Sequence, residues 1–405
     1  MNTKTCQAEM TTVSFATLDG ATSGTASVPT GSSSSPDGAL RTHLQSSFGW
    51  KVDDIVLDMY APGQYVILFD TVSMRFIRDT CSVAEATTEA DKKMVQTELH
   101  EYIIRNHIQE LDLNDIYSHY NISTISEHAF HNCESLTTVA IPGSVTEISR
   151  GAFYSCESLT TVVISDSVTA IGYSAFQFCD SLTTIAIPDS VTAICAYAFT
   201  GCKSLTTVVI PDNVTAIGDN AFAGCTSLTA VAIPDSVTAI GTNAFAFCRS
   251  LTTVAIPDSV TAIGYSAFRE CTSLTTIAIP DSVAAIGGNA FQFCDSLTTI
   301  AIPDSVTAIC AYAFTGCKSL TTVVIPDNVT AIGDNAFAGC TSLTAVAIPD
   351  SVTAIGTNAF YDCRSLTTVA IPDSVTAIGD YAFAFCSSLT TVVIPDGVTA
   401  IGGGA

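Results

Sequence analysis

The chain has 405 residues, with 14 Lys plus Arg against 38 Asp plus Glu and a formal charge of −24. So acidic a chain has no basic face with which to neutralise phosphates, which excludes nucleic acid as a partner. Its 48% apolar content supports a large core and excludes wholesale disorder, and polar residues interrupt every apolar run before the ~18 residues of a membrane span.

Met1 to about Ser47 is rich in Ser, Thr and Gly, including Gly31 to Gly38, and reads as a flexible tail (1–47). Its first ten residues hold one Lys and no apolar stretch, so no secretory signal is visible. From Phe48 to His107 a small α+β region is expected. Val52–Met59, Gln64–Asp70 and Ser73–Arg78 are rich in Val, Ile, Leu, Phe and Tyr, and Pro62-Gly63 separates the first two as a hairpin turn. Ser82 and Glu85 have capping-box spacing, and Met94, Val95, Leu99, Tyr102 and Ile103 then recur at helical intervals, predicting a helix over about Val83–Arg105. This region (48–107) is either a cap over the array that follows or an independent domain.

The remainder (108–405) is an array. Cysteines recur every 23 residues from Cys133 to Cys386, in the unit Cys-x-Ser-Leu-Thr-Thr-Val-x-Ile-Pro-Asp-Ser-Val-Thr-x-Ile-Gly-x-x-Ala-Phe-x-x. Ile122, Ile125, Ala129 and Phe130 begin it as a partial unit. Residues Ala175–Phe245 return identically as Ala290–Phe360, including Cys195 and Cys310, which stand where other units have Gly. Strand alternation sends Val162 and Ile164 inward and Thr161 and Val163 outward, and Leu159 joins the buried set. Pro188-Asp189 turns the chain, Val191 and Ile194 form a second inward pair, and Ala221-Phe222 reads as a short helical or 3₁₀ turn. One unit cannot bury these positions alone, so neighbours must stack; twelve coils at ~4.8 Å give a parallel-sheet solenoid of roughly 55–60 Å.

The Leu-x-x-Val-x-Ile-Pro, Val-x-x-Ile-Gly and Ala-Phe-x-x-Cys segments, repeated in register, resemble the BspA-like class of leucine-rich repeats. The resemblance covers Ile122 to Ala405 and implies an α+β solenoid with a parallel sheet. It also implies contact with a protein or glycan partner, because several members of the class are adhesins on cell surfaces.

Candidate chemistry falls in rows. Thr161, Thr184, Thr207, Thr253, Thr276, Thr299 and Thr322 share one outward strand position and form the candidate partner-binding face. Such a Thr array is also the pattern of an ice- or crystal-binding surface, although β propensity accounts for Thr on a half-exposed strand. An Asp recurs at every step of 23 from Asp166 to Asp396, following Pro from Asp189 onward. Calcium between stacked carboxylates is one reading, and a turn residue bonding its own backbone is the simpler one. Asp180 with Lys203, and Asp295 with Lys318, are placed to pair between coils. His128, His131 and Cys133 suggest a metal, but no CxxC pair occurs and a periodic Cys is more simply a small inward hydrophobe. Asp53 and Asp54 point to opposite faces and form no acid–base pair.

Taken together the residues predict a non-enzymatic scaffold with no cofactor, no metal and no membrane span. An active site gathers unlike residues at one place, whereas this array repeats like ones. Many free thiols and no signal point to the cytoplasm. The final Gly402-Gly-Gly-Ala405 stops within a unit, so a truncated sequence or end-to-end self-association is expected of an uncovered core layer.

Overall fold

The computed structural model describes residues 86–405 continuously and, before them, four strands: β1 (Met10–Thr17), β2 (Ser23–Pro29), β3 (Ile55–Ala61) and β4 (Gln64–Phe69). These form one sheet in the order β2-β1-β4-β3, with β3 and β4 paired antiparallel from Ile55↔Phe69 to Ala61↔Gln64. Two strands therefore stand where the composition suggested a tail. Thr11, Thr12, Val13 and Phe15 carry the β-branched and aromatic content that strands favour, and this outweighs the Ser and Gly around them. The expected strand at Ser73–Arg78, the Ser82–Glu85 capping box and the Asp53-Asp54 pair lie outside the described residues.

Helix α1 (Glu89–Asn106) starts later than the sequence predicts because its capping box is Thr88 with Asp91. Asp91 N–H donates to Thr88 Oγ1 at 3.2 Å, and Thr88 N–H donates to Asp91 Oδ2 at 2.9 Å. The Thr88 hydroxyl, which donates to Asp91 Oδ2 at 2.8 Å, and then the Thr88 N–H hold the Asp91 carboxyl below the usual range. His107 ends the helix in the left-handed conformation. Val95, Leu99 and Ile103, one turn apart, are buried against the array, whereas Met94 is exposed. Gln96 lies between them and is itself buried. Its amide donates to Thr124 O and Ser126 Oγ and accepts from Ser126 N–H and Tyr117 O–H, at 2.8–3.3 Å. β5 (Glu110–Asp112) then pairs in parallel with the first strand of the array, and α2 (Asn114–His119) buries Ile116 and Tyr117. Residues 88–120 thus lie over the first core layer and contribute a strand to its sheet.

From β6 (Thr124–Ile125) onward the chain winds into stacked coils with two parallel ladders. The longer ladder runs from β5 through Thr138–Ile141 to Thr161–Ile164, then as a nine-stranded sheet from Thr184–Ala186 to Thr368–Ala370. Its register is residue for residue at a shift of 23, as in Thr184↔Thr207 and Ile185↔Val208. The second ladder consists of two-residue strands such as Ala216–Ile217. At Ile194 and Ile309 it thins to isolated bridges, which divides it into three blocks.

The core between the ladders is a stack of like residues. Twelve phenylalanines from Phe130 to Phe383 lie ring over ring, with centroids 5.3–5.6 Å apart and planes within 22°. This is the offset-stacked geometry that the ring quadrupole favours. The cysteine row lies beside it. From Cys156 to Cys386 each Sγ–H donates to the phenylalanine carbonyl of the preceding coil at 3.0–3.3 Å. The periodic cysteine is therefore a donor as well as a small hydrophobe.

The segment read as a helical turn is not helical. Each coil carries a left-handed residue before its Ala, such as Asn220 at φ 56°, and another before its Cys, such as Phe178 at φ 61° or Gly224 at φ 74°. Asn and Gly accept that conformation most readily, which explains their frequency at these two places.

Candidate interaction surface

The strand face is built by the Thr-Val-x segment of each coil. Its middle residue points inward and the two flanking residues point to solvent, as at Thr207-Val208-Val209. Thr161, Thr184, Thr207, Thr253, Thr276, Thr299 and Thr322 all fall on this face and are exposed. Ala230 and Ala345 interrupt their row, and a parallel row of Ala and Val runs beside it, with Val209 and Val324 over 70% exposed.

Three other polar rows bond between coils. In most coils the threonine before the outer position donates Oγ1 to the carbonyl of its counterpart in the preceding coil, as Thr206 does to Thr183 O and Thr229 to Thr206 O, at 3.2–3.3 Å. The threonines of the second ladder do the same, as Thr169 does to Thr146 O at 3.2 Å. The serines after Asp donate to a valine carbonyl, as Ser236 does to Val214 O at 2.5 Å. Asn213 and Asn328 replace Ser in this row and give Nδ2 to Asp189 O and Asp304 O at 2.7 Å. By contrast, the hydroxyls of the outer Thr row from Thr184 to Thr322 make no hydrogen bond within the described residues. Thr161 alone shares one, at 3.5 Å, with Thr160. The sequence did not distinguish these rows, because all of them read Thr or Ser.

The Asp row from Asp166 to Asp396 is exposed throughout. None of these carboxylates bonds its own turn, which corrects the capping reading. The turn is closed instead by backbone, as Val191 N–H donates to Pro188 O at 3.0 Å. Each coil supplies one carboxylate to this row, and among the described residues no three His, Cys, Asp or Glu side chains converge as metal ligands. The expected inter-coil ion pairs form, Lys203–Asp180 at 2.6 Å and Lys318–Asp295 at 2.9 Å, and Arg249–Glu270 adds a third. Exposed pairs of this kind contribute about 0–1 kcal/mol each.

Aromatic side chains gather on the turn side. Tyr173 packs against Tyr197 with centroids 5.1 Å apart and planes tilted by 47°, and the Arg150 guanidinium lies 4.9 Å over the Tyr173 ring. His128 and His131 occupy the first coil, where His131 Nδ1 bonds His128 O at 2.7 Å. Cys133 beside them is buried, so the three do not converge on an ion.

The model of the BspA type leucine rich repeat region matches residues 101–229, 192–321 and 307–405. Among solved structures, a leucine-rich repeat protein from Bacteroides ovatus is similar at 32% identity over 70% of this chain and 79% of its own, with a TM-score of 0.60. A leucine-rich repeat protein from Eubacterium ventriosum is 26% identical over 72% of this chain and 86% of its own, with a TM-score of 0.50. A leucine rich cell surface protein from Faecalibacterium prausnitzii is 35% identical over 74% and 83%, with a TM-score of 0.45. No curated protein matches. With the matched repeats running from residue 101 to residue 405 and the coils in register throughout, the chain belongs to the BspA-type leucine-rich repeat family.

Proposed function

We propose that the array is a non-enzymatic scaffold that binds a protein or glycan partner across its strand face, through the row Thr161, Thr184, Thr207, Thr253, Thr276, Thr299 and Thr322. The observation that carries this reading is the division of labour among hydroxyls. The neighbouring Thr and Ser rows use theirs between coils, and the outer row keeps its hydroxyls for solvent or a partner. The same contact recurs along the array, so weak single contacts sum by avidity. The duplication of Ala175–Phe245 supports a repeated surface rather than a single catalytic pocket.

The test is a photo-crosslinking residue introduced at position 207 or 276 on the strand face, and at 189 or 258 on the Asp rim. Adducts from the strand-face positions are expected. Adducts from the rim alone, or from neither, would overturn the reading.

A second mode of association has its own support. Val392 and Ile394 of the last coil are 36% and 50% exposed, whereas their counterparts one coil earlier, Val369 and Ile371, are buried. Self-association through this layer predicts a concentration-dependent mass in light scattering, removed by Ile394→Asp. We also place the scaffold in a reducing compartment, on the strength of the free cysteines in every coil; imaging of the tagged full-length protein tests this.

A further inference from the structure

From residue 108 onward the chain holds six Lys and Arg, and five of them each have a carboxylate. Arg150 pairs with Glu127, Lys203 with Asp180, Arg249 with Glu270, Lys318 with Asp295 and Arg364 with Asp362. Arg269 is the sixth. Glu270 Oε2 already accepts from Arg249 Nη2 at 2.9 Å, and Arg269 Nη2 lies 4.0 Å from the other oxygen, too far for a hydrogen bond. Its Nε is buried without a partner. Phe247 N–H donates to Arg269 O at 2.7 Å, and the guanidinium carbon lies 5.4 Å over the Phe247 ring. On the same bend Arg269 N–H donates to Ser266 O at 3.1 Å, yet the buried Ser266 hydroxyl has no partner either. Two of the four buried side-chain atoms left unpaired among the described residues thus stand together, and such a concentration marks a functional place.

The duplication does not copy this bend. At a shift of 115 residues Arg249 returns as Arg364, but Arg269 and Glu270 give way to Ala384 and Phe385. We propose that Arg269, with Arg249 beside it, binds a single carboxylate, the Asp or Glu side chain of a protein partner, and so fixes the register in which that partner docks. The role in register rests on the strand-face reading; the carboxylate contact is tested apart from it.

A guanidinium is a planar fork that matches a carboxylate with two parallel hydrogen bonds. That of Arg269 is held on one edge by burial and by Phe247, while its side chain is still 36% exposed, so binding orders little that is not already ordered. Tyr265 stands exposed on the same coil, and Arg and Tyr are the residues that carry protein interfaces. The charge selects among carboxylate sources. An acidic polysaccharide brings a carboxylate on every sugar against a chain of charge −24, whereas a protein loop can present one. Arg249 leads into the strand Thr253–Ala255, so the site borders the Thr face. That face alone offers the same contacts after a slide of one coil. A charged contact that occurs once leaves a single register in which the partner is fully matched.

The experiment follows the arginine Nε–H signals of the full chain, labelled with nitrogen-15 arginine, by nuclear magnetic resonance; the signal missing from Arg269→Gln assigns Arg269. The probes are acetyl-Gly-Glu-Gly-amide, its Gln counterpart and methyl galacturonate. The Glu peptide is expected to shift the Arg269 signal saturably, at least threefold more than those of Arg150 and Arg364, and the Gln peptide to leave it in place. In Arg269→Lys, which keeps the charge and loses the fork, the Arg249 signal should need about tenfold more Glu peptide for the same movement. No shift at Arg269, equal shifts from the Glu and Gln peptides, or tighter binding of methyl galacturonate than of the Glu peptide would overturn the proposal. Once the signal is assigned, these readings come from the wild-type chain, and none depends on whether the strand face yields crosslinks.

Discussion

Glycine follows the second-ladder isoleucine in most coils because there is no room for anything larger. A Cβ on Gly241 would lie 2.7 Å from Gly218 C and 2.8 Å from Asp219 N, both backbone atoms that cannot swing away. These glycines have ordinary φ values, so close approach and not backbone freedom fixes the residue. Gly218 N–H and Gly241 N–H each reach back to the isoleucine carbonyl of the preceding coil, at 2.9 and 3.0 Å. Among the described residues no such bond runs from Cys195 to Ile171 or from Cys310 to Ile286, and the ladder thins at those coils. Ser126 and Ser149 hold the same place next to the cap, where the first short strands still pair. Gly241→Ala should therefore open the ladder at its own coil and cost about 1–3 kcal/mol, as overpacking does. Loss of hydrogen-exchange protection at the amides of residues 241 and 264 checks this. Cys195→Gly should do the reverse and slow exchange at residue 195. In the core, Phe222→Ala should cost about 3–5 kcal/mol, because the ring has a stacked neighbour on both sides and the void cannot collapse; the shift in thermal melting measures it.

At the level of elements, the cap is held by one amide as much as by its apolar stripe. Gln96 satisfies both its donors and its acceptor inside the junction between α1 and the first coil. Burial raises Tyr117 well above its usual range, so its hydroxyl stays protonated and donates to Gln96 at any ordinary pH. Gln96→Ala would leave that hydroxyl and Ser126 N–H without their acceptor, at about 1–3 kcal/mol for each buried group stranded. Faster amide exchange across α1, with the coils beyond residue 160 unchanged, is the expected result. The array's strands were legible in the sequence because a strict period exposes alternation: Val208 and Ile210 inward, Thr207 and Val209 outward. The start of α1 was not, since Ser82–Glu85 and Thr88–Asp91 have the same spacing and only packing chooses between them. The left-handed pair in each coil was hidden because Phe178 and Tyr197 occupy places that suit Asn or Gly. The Thr face was legible as a row. Which Thr row keeps its hydroxyls free was not, because it depends on whether a carbonyl of the preceding coil lies within reach.

At the scale of the whole molecule, each coil touches only its neighbours, so length is a matter of copy number. Deleting one full period, residues 226–248, should leave a folded array shorter by ~4.8 Å. Deleting 226–247 should not, because a shift of 22 places Phe out of its stack and turns a strand's inner face outward. Small-angle scattering and circular dichroism distinguish the two. The net charge has the same origin: the Asp row adds one unpaired carboxylate with every coil, and the acidity follows the count of coils and not a particular ligand.

The two coils in which cysteine replaces glycine lie 115 residues apart and divide the second ladder into blocks. Under tension along its axis such a rod would not yield uniformly. The coils at Cys195 and Cys310 hold to their predecessors by fewer hydrogen bonds, so they should part first. Each released period of 23 residues would lengthen the chain by roughly 80 Å at full extension. A force trace should then begin with two low steps of that size before the blocks rupture, and Cys195→Gly with Cys310→Gly should remove both steps. Anchored between two partners, the array would act as a load limiter with two weak links of equal strength, set there by the duplication that copied the first cysteine.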